Sequence, residues 1–417
     1  MRILQICDEQ QYIFNINEAN KSIPIQISYS MEFSESFSSD ELSFAIDKCI
    51  KESDVFGARC IVKNSRQYME FLPYDKHDFP IFSFSSEKEY ESFCNQVRKT
   101  KINNRDKLYY IFIFSIAGSY YHLHFSFNHI IFDGTSALLL SEKIQKILLN
   151  KNEEIKWHPF YNHLDNIKSY NESQKYLIDE KFWEDRFLEI SKSDYLFRDV
   201  IDTNYSPIKD LTFQTSKKLK EELFEYCSKN NISPHILIVV VLAQIITDKT
   251  GCKRFYFEIP IGNRLGANEK NSIGTYEIAV PVIFDFTIYN DFFDLLKSVQ
   301  KQSTDYYKHK NFDWITKISS ESHERKYGKY IPQFSFSYFC QNKKPSASVA
   351  TIHHQSCEND ILPMNLYVSD YLDWQAITFS YMYWDNYFND EEVIQIHKDI
   401  ETAIANIIEN KKLLENE

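Results

Sequence analysis

The sequence predicts an α/β protein, with helices and sheets layered in two similar lobes, and three observations carry that prediction. Apolar residues alternate in short strand-like runs between stretches of helical periodicity. The same theme recurs in the second half. A polar, lysine- and asparagine-rich stretch over residues 150–180 reads as the connection between the halves. The predicted lobes therefore span 1–172 and 173–417.

The first lobe opens with an alternating strand, Ile25 to Met31. Ser38 and Glu41 form a capping box for a helix whose apolar face is Leu42, Ala45, Ile46, Cys49 and Ile50. Residues 55–62 read as the next strand. Residues 108–115 and 120–128 form a hairpin through Ala117-Gly118-Ser119. On the second hairpin strand Leu123, Phe125 and Phe127 face one way, and His122, His124 and Ser126 the other. Ala137, Leu140, Ile144, Ile147 and Leu148 then mark an amphipathic helix.

The second lobe begins with helix from about Ser173 to Ile190, then a helix on Leu219, Leu223 and Cys227. Ser233 caps a helix with Pro234 at its first position, and the run Ile236–Ala243 makes it apolar nearly all round, hence buried. Strands are expected at 254–261, 277–286, 333–340, 364–369 and 376–384, and a last helix from Asn389 to about 410.

Composition narrows the function classes. Hydrophobic residues at 43% and aromatics at 16% describe a chain with real cores rather than a disordered one. A net charge of −12 argues against nucleic-acid binding by bulk electrostatics. The longest apolar run is too short to span a bilayer, so no membrane association is expected. The eight cysteines are scattered without a Cys-x-x-Cys pair, which reads as reduced thiols in a cytoplasmic protein and no metal site. With only eight glycines and no Gly-x-x-x-x-Gly-Lys element, a phosphate-binding loop is not expected.

The most informative segment joins the hairpin to the following helix: Asn128, His129, Ile130, Ile131, Phe132, Asp133 and Gly134. A neutral imidazole suits proton transfer near pH 7, and here it ends an apolar strand four residues before a carboxylate. His122 and His124, spaced i, i+2, lack an acidic or cysteine partner nearby and read as exposed or tunnel-lining. His353-His354 reads as a polar loop, and Trp314 as core.

This segment resembles the His-His-x-x-x-Asp-Gly signature of condensation domains of nonribosomal peptide synthetases, in the superfamily of chloramphenicol acetyltransferase. His129, Asp133 and Gly134 match it, and Asn128 replaces the first His. Further likeness runs along the chain at Val55–Arg59, Phe182-Trp183, Ile232 to Arg264, Ser272-Ile273-Gly274, Phe334–Asn342 and Tyr381–Phe388. The resemblance implies two chloramphenicol-acetyltransferase-like lobes in a V-shaped pseudo-dimer, with a tunnel between them.

It also implies roles. His129 would stand at the reaction junction, as base or by positioning the amine. Asp133 would be structural, with Arg264 from the other lobe as its partner. Gly134 would give room to a thioester arm or permit positive φ, and Ser136 and His124 are candidates to line the tunnel. Asn128 hydrogen-bonds but cannot titrate. The chain would bind no cofactor itself. An acyl group would arrive on the phosphopantetheine arm of a carrier protein in trans, and an amine, soluble or carrier-bound, would attack the thioester. The enzyme is expected to be free-standing and monomeric. The acidic net charge would not attract an acidic carrier, so docking would need a local basic patch. Alternatives are an ester-forming enzyme with a hydroxyl acceptor, and a catalytically silent carrier-binding or recruitment domain. Heterocyclisation and epimerisation fit less well: His129 is retained, and the extra glutamate motif of epimerisation domains is missing.

Overall fold

In a computed structural model, described over residues 2–19, 25–76, 78–100, 102–196, 206–264, 266–289, 291–341, 349–355, 359–360, 362–371 and 375–414, helices and strands alternate along the chain. They run β1 (Arg2–Gln5), α1 (Asp8–Ala19), β2 (Gln26–Phe33), α2 (Ser39–Lys51), β3 (Ala58–Lys63), β4 (Arg66–Phe71), β5 (Ile81–Phe84), α3 (Glu87–Lys99), β6 (Tyr109–Ile116), β7 (His122–Asn128), α4 (Gly134–Leu149), α5 (Tyr161–Asn171) and α6 (Gln174–Ile190). There follow β8 (Ser206–Gln214), α7 (Lys217–Asn230), α8 (Pro234–Thr250), β9 (Arg254–Gly262), β10 (Glu277–Asp285), α9 (Phe292–Lys308), α10 (Trp314–Ile318), α11 (Glu321–Tyr327), β11 (Phe334–Gln341), β12 (Ala350–Gln355), β13 (Asn359–Asp360), β14 (Met364–Tyr371), β15 (Thr378–Trp384) and α12 (Asp390–Leu414).

The chain forms two compact units, each discontinuous in sequence. The first comprises 1–178, 262–278 and 345–358, and the second the remaining segments. This differs from a single break at residue 172. Two returning segments are hydrogen-bonded into the first unit. One is β12, which pairs antiparallel with β2; the other is the stretch between β9 and β10.

The first unit centres on a five-stranded sheet in the order β12-β2-β7-β6-β5, beside a small sheet β1-β4-β3. Ala117 (φ 51°) and Gly118 (φ 73°) both take the left-handed conformation that a tight hairpin between β6 and β7 needs. α2 begins with the reciprocal Ser38–Glu41 capping box. Leu123, Phe125 and Phe127 of β7 bury against a core that includes Leu42, Ile46 and Ile50 of α2 and Leu140 and Ile144 of α4. The opposite face of the sheet is sealed too. Phe112 and Phe114 pack there with Tyr90 and Cys94 of α3. The polar face expected for β7 is therefore interior: His124 is fully buried and Ser126 nearly so.

Other local readings change in the same unit. Residues 54–57 form a 3-10 turn before β3 rather than its first half. Gly57 is held so close to the Leu72 carbonyl that a Cβ would sit 2.1 Å from that oxygen. The stretch 150–180 is no bare connection. It carries α5 and buries Trp157 and Phe160. His353 lies on β12, not in a loop.

The second unit is built on a seven-stranded sheet, β10-β9-β11-β14-β15-β8-β13. β11 and β14 pair in parallel, and β14, β15 and β8 are antiparallel. α8 is the buried helix that its composition predicts, with Ile236 to Ala243 all at most 2% exposed, and it ends on Gly251 at φ 72°. Trp314 is core. No single helix among the described residues is long and apolar enough to cross a membrane. Cys357 and Asn342 lie outside the described residues.

Candidate active site

His129 follows the last residue of β7 and opens a short 3-10 turn over His129–Ile131. Three groups fix its backbone. Its N–H donates to the Ile25 carbonyl at 3.1 Å. Its carbonyl accepts from the Phe132 N–H and from the Thr275 hydroxyl. The imidazole is half-buried, and its Nδ1 is buried with no hydrogen-bond partner. A rigid backbone thus carries a ring with an uncommitted nitrogen.

Asn128 is part of the frame. Its Oδ1 accepts from the Ile130 N–H at 3.0 Å, capping the turn. Its Nδ2 donates to the Ile102 carbonyl at 3.1 Å and to Asn104 Oδ1 at 2.8 Å. Asn104 and Asn17 continue this buried amide network. An amide with one acceptor and two donor hydrogens satisfies all three directions without carrying charge.

Asp133 caps α4, accepting from the Ser136 N–H at 2.8 Å. Arg264 grips the same carboxylate with both ends of its fork, at 2.6 and 2.9 Å, and the Tyr276 N–H adds a bond of 3.0 Å. Burial alone would push the Asp133 carboxyl up. The Arg264 guanidinium and the two backbone donors outweigh it and hold it below the ordinary aspartate value. All of this carboxylate's capacity is spent on structure, so it has no lone pair free to act as a base. Arg264 also lies 4.4 Å over the Tyr276 ring. It belongs to the same compact unit as Asp133. The pair therefore braces the first unit, rather than tying one lobe to another as the sequence reading had it.

The remaining predicted residues divide clearly. Ser136 is fully buried; its hydroxyl accepts from Arg264 (2.9 Å) and the Gly274 N–H (3.1 Å) and donates to the Gly274 carbonyl (2.9 Å). It has nothing left for a substrate. His124 is fully buried, stacked on Phe112 at 4.4 Å. Its Nδ1 stands 3.6 Å from Cys94 Sγ and its Nε2 3.2 Å from Ser126 Oγ. Burial, and then the nearby Arg98, lower its pKa to about 3. It is a neutral core residue and lines no tunnel. Gly134 is the first residue of α4 and is not among the glycines with positive φ.

Sequence reasoning missed the partner segment Ser272–Glu277. Gly274 lets the Phe160 ring press on the backbone, where a Cβ would stand 2.1 Å from a ring carbon. Thr275 holds the His129 carbonyl, Tyr276 holds Asp133, and Glu277 carries a carboxyl whose charge interacts with His129.

The fold, with a histidine on an Asp–Arg-braced turn in its first unit, is that of condensation-domain structures, which have two chloramphenicol-acetyltransferase-like lobes. The family model for the condensation domain matches residues 3–417, and the chain belongs to that family. Surfactin synthase subunit 1 of Bacillus subtilis (strain 168) is 21% identical over 290 residues, covering 67% of this chain. The chain spans only 8% of that protein's length. Among solved structures, the first condensation domain of the calcium-dependent antibiotic synthetase superposes with a TM-score of 0.80 at 14% identity, covering 98% of this chain and 97% of that one. The condensation domain from Monacolin K polyketide synthase gives 0.81 at 12% identity, covering 98% of each. The epimerization domain from the third module of tyrocidine synthetase B gives 0.78 at 13%, covering 98% and 96%. At such identities these likenesses speak for the fold alone.

Proposed function

We propose that this chain is a condensation enzyme. It joins an acyl or aminoacyl group, delivered as a thioester on the phosphopantetheine arm of a carrier protein, to an amine, giving an amide and a carrier thiol. One observation carries the reading: His129 has an uncommitted ring nitrogen on an immobilised turn, while the polar side chains of Asn128 and Asp133 are fully hydrogen-bonded. Such a ring can take the proton that the amine sheds as nitrogen bonds the thioester carbon, and return it to the departing sulfur. A backbone fixed by Ile25 and Thr275 keeps the ring in place at little entropic cost during the step. The ester-forming alternative uses the same residues on a hydroxyl acceptor.

Single-turnover transfer tests the reading. Acyl-loaded carrier proteins are mixed with an amine pool and the full chain, and carrier and product masses are followed. The expected result is loss of the acyl group and a new amide with wild type, and neither with His129→Ala. A stable complex with the carrier and no unloading overturns catalysis in favour of recruitment. A new ester in place of an amide selects the hydroxyl acceptor.

A further inference from the structure

The seven-stranded sheet of the second unit has two unlike faces. Phe336 and Tyr338 of β11 stand in register with Leu366 and Val368 of β14, and Val368 with Phe379 of β15. This face meets the helices: the Tyr338 ring lies 5.8 Å from His235 of α8, and the Phe379 ring 5.1 Å from His397 of α12. Alternation within each strand puts Ser335 and Ser337 of β11 and Asn365 of β14 on the other face. Glu258 of β9 stands in register beside Ser335, and Tyr256, two residues earlier on the same strand, shares its side. Glu258 is half-buried, and one hydrogen bond holds it: the Tyr330 hydroxyl donates to Oε1 at 2.7 Å. Tyr330 stacks on Tyr256 at 5.2 Å, and the Tyr256 hydroxyl is itself fixed on the Ile331 backbone. Oε2 accepts no hydrogen bond among the described residues, yet it is not sealed from the outside. Buried carboxylates in this unit otherwise have a basic partner: Asp179 has His309, Asp285 has Arg254 and Asp370 has Lys220. Glu258 makes no ion pair among the described residues. Burial accordingly pushes its carboxyl up to about 7, with the Tyr330 hydrogen bond working against the rise.

We propose that Glu258 is a recognition carboxylate for an organic ammonium: Oε2 pairs with the positively charged nitrogen of a substrate, beside the Tyr256–Tyr330 rings. A half-buried carboxylate next to aromatic rings supplies both things that an ammonium leaving water needs, an opposite charge and an electron-rich wall. The polar row of Ser335 and Asn365 gives the same face hydrogen-bonding groups for the rest of such a molecule. That the ligand is a substrate rests on the condensation reading of the chain; that it is an ammonium does not. The nitrogen held by Glu258 is not the one that attacks the thioester, because an ammonium has no lone pair to give. One of the two substrates therefore carries a second, basic nitrogen.

Binding is read first and needs no catalysis. Lysine amide and norleucine amide both carry an α-amine and differ in the side-chain ammonium. Calorimetry with the full chain at pH 8, where the carboxylate and that ammonium are both charged, should show lysine amide binding roughly tenfold or more tighter. Glu258→Gln keeps an oxygen for Tyr330 and removes the charge. It should erase the difference between the two amides, and Glu258→Asp should retain part of it. The denaturation midpoint of Glu258→Gln should stay at or above that of wild type, because a buried charge without a partner is gone. Equal binding of the two amides by wild type, or a difference that survives Glu258→Gln, overturns the proposal. Single-turnover transfer then assigns the source. A preference for lysine amide over norleucine amide as the amine, lost with Glu258→Gln, places the cation on the acceptor. A preference for a lysyl-loaded over a norleucyl-loaded carrier, lost in the same variant, places it on the donor. Active transfer with neither preference overturns the substrate role. A chain that transfers nothing but still binds lysine amide through Glu258 keeps the ammonium site and refutes only the condensation reading.

Discussion

Two histidines stand close together on β7 and just beyond its end, and nearly everything about them differs. His124 is sealed between Phe112 and α3, with a sulfur and a hydroxyl at its two nitrogens. His129 is half-buried and keeps a nitrogen uncommitted, while its backbone is bonded on every side. The first is a packing residue that happens to be polar; the second is a chemical group on a rigid mount. The comparison shows what separates a site from a core: the Asn128 amide and the Asp133 carboxylate of the frame are saturated, while the ring they surround keeps a nitrogen unsatisfied.

The largest effect should come from the frame. Arg264→Ala leaves the Asp133 carboxylate buried and unpaired, which typically costs about 3 to 5 kcal/mol. Chemical denaturation of the full chain should show that loss, with activity falling as the turn loosens. Arg264→Lys should recover only part, since an ammonium cannot grip both carboxylate oxygens. If Arg264→Ala is neutral, the saturated-frame half of the comparison is wrong.

Next in size is the ring itself. His129→Ala should cut single-turnover transfer about a hundredfold or more while leaving the denaturation midpoint nearly unchanged, because the turn is held through the His129 backbone and the buried Nδ1 of the ring has no hydrogen-bond partner. A large stability loss with modest rate loss would make His129 a structural residue like His124.

How far the sequence showed this difference depends on distance along the chain. The strand, the turn and α4 were visible because periodicity and caps are local, as were the hairpin at Ala117-Gly118 and the buried α8. The role of His124 was not. Period-2 alternation put it opposite Phe125 on a face that looked polar, and only the packing of α3 on the sheet makes that face interior. The same limit applies to Thr275 and Tyr276, which touch the signature only after the chain has passed through β9 and returned. Ser136 looked available because a hydroxyl in a motif suggests a substrate contact, and nothing near it in sequence reveals the Gly274 backbone that occupies it.

The sealed histidine has its own signature in pH. Burial holds the His124 pKa down at about 3, so the native state refuses a proton that the unfolded chain accepts below about 6.5. Its stabilising contribution is complete above that value and is lost as pH falls toward 3. Between pH 7 and pH 5 this group alone should take away about 2 kcal/mol. His124→Phe, which keeps a ring on Phe112, should flatten the acid side of the stability profile by that amount and leave transfer at pH 7 intact. His163 and His397, each lowered to about 4 by burial, slope the same way and remain in the variant as an internal reference.

The smallest effect should fall on Ser136. Its hydroxyl completes the knot, but Arg264 keeps both oxygens of Asp133 without it, and the Gly274 and Ser272 carbonyls lie 3.3 and 3.4 Å from the same guanidinium nitrogen. Those carbonyls can take up the hydrogen that Ser136→Ala releases. The cost should be about 1 to 2 kcal/mol, because the Gly274 N–H also loses its acceptor, with transfer within about twofold of wild type. A hundredfold loss of transfer without a stability loss would instead mean that the hydroxyl meets substrate, and that the frame is less saturated than its hydrogen bonds indicate. Ser136 is thus the sharpest probe of where scaffold ends and chemistry begins, since its residue type fits either side and only its bonding assigns it to the scaffold.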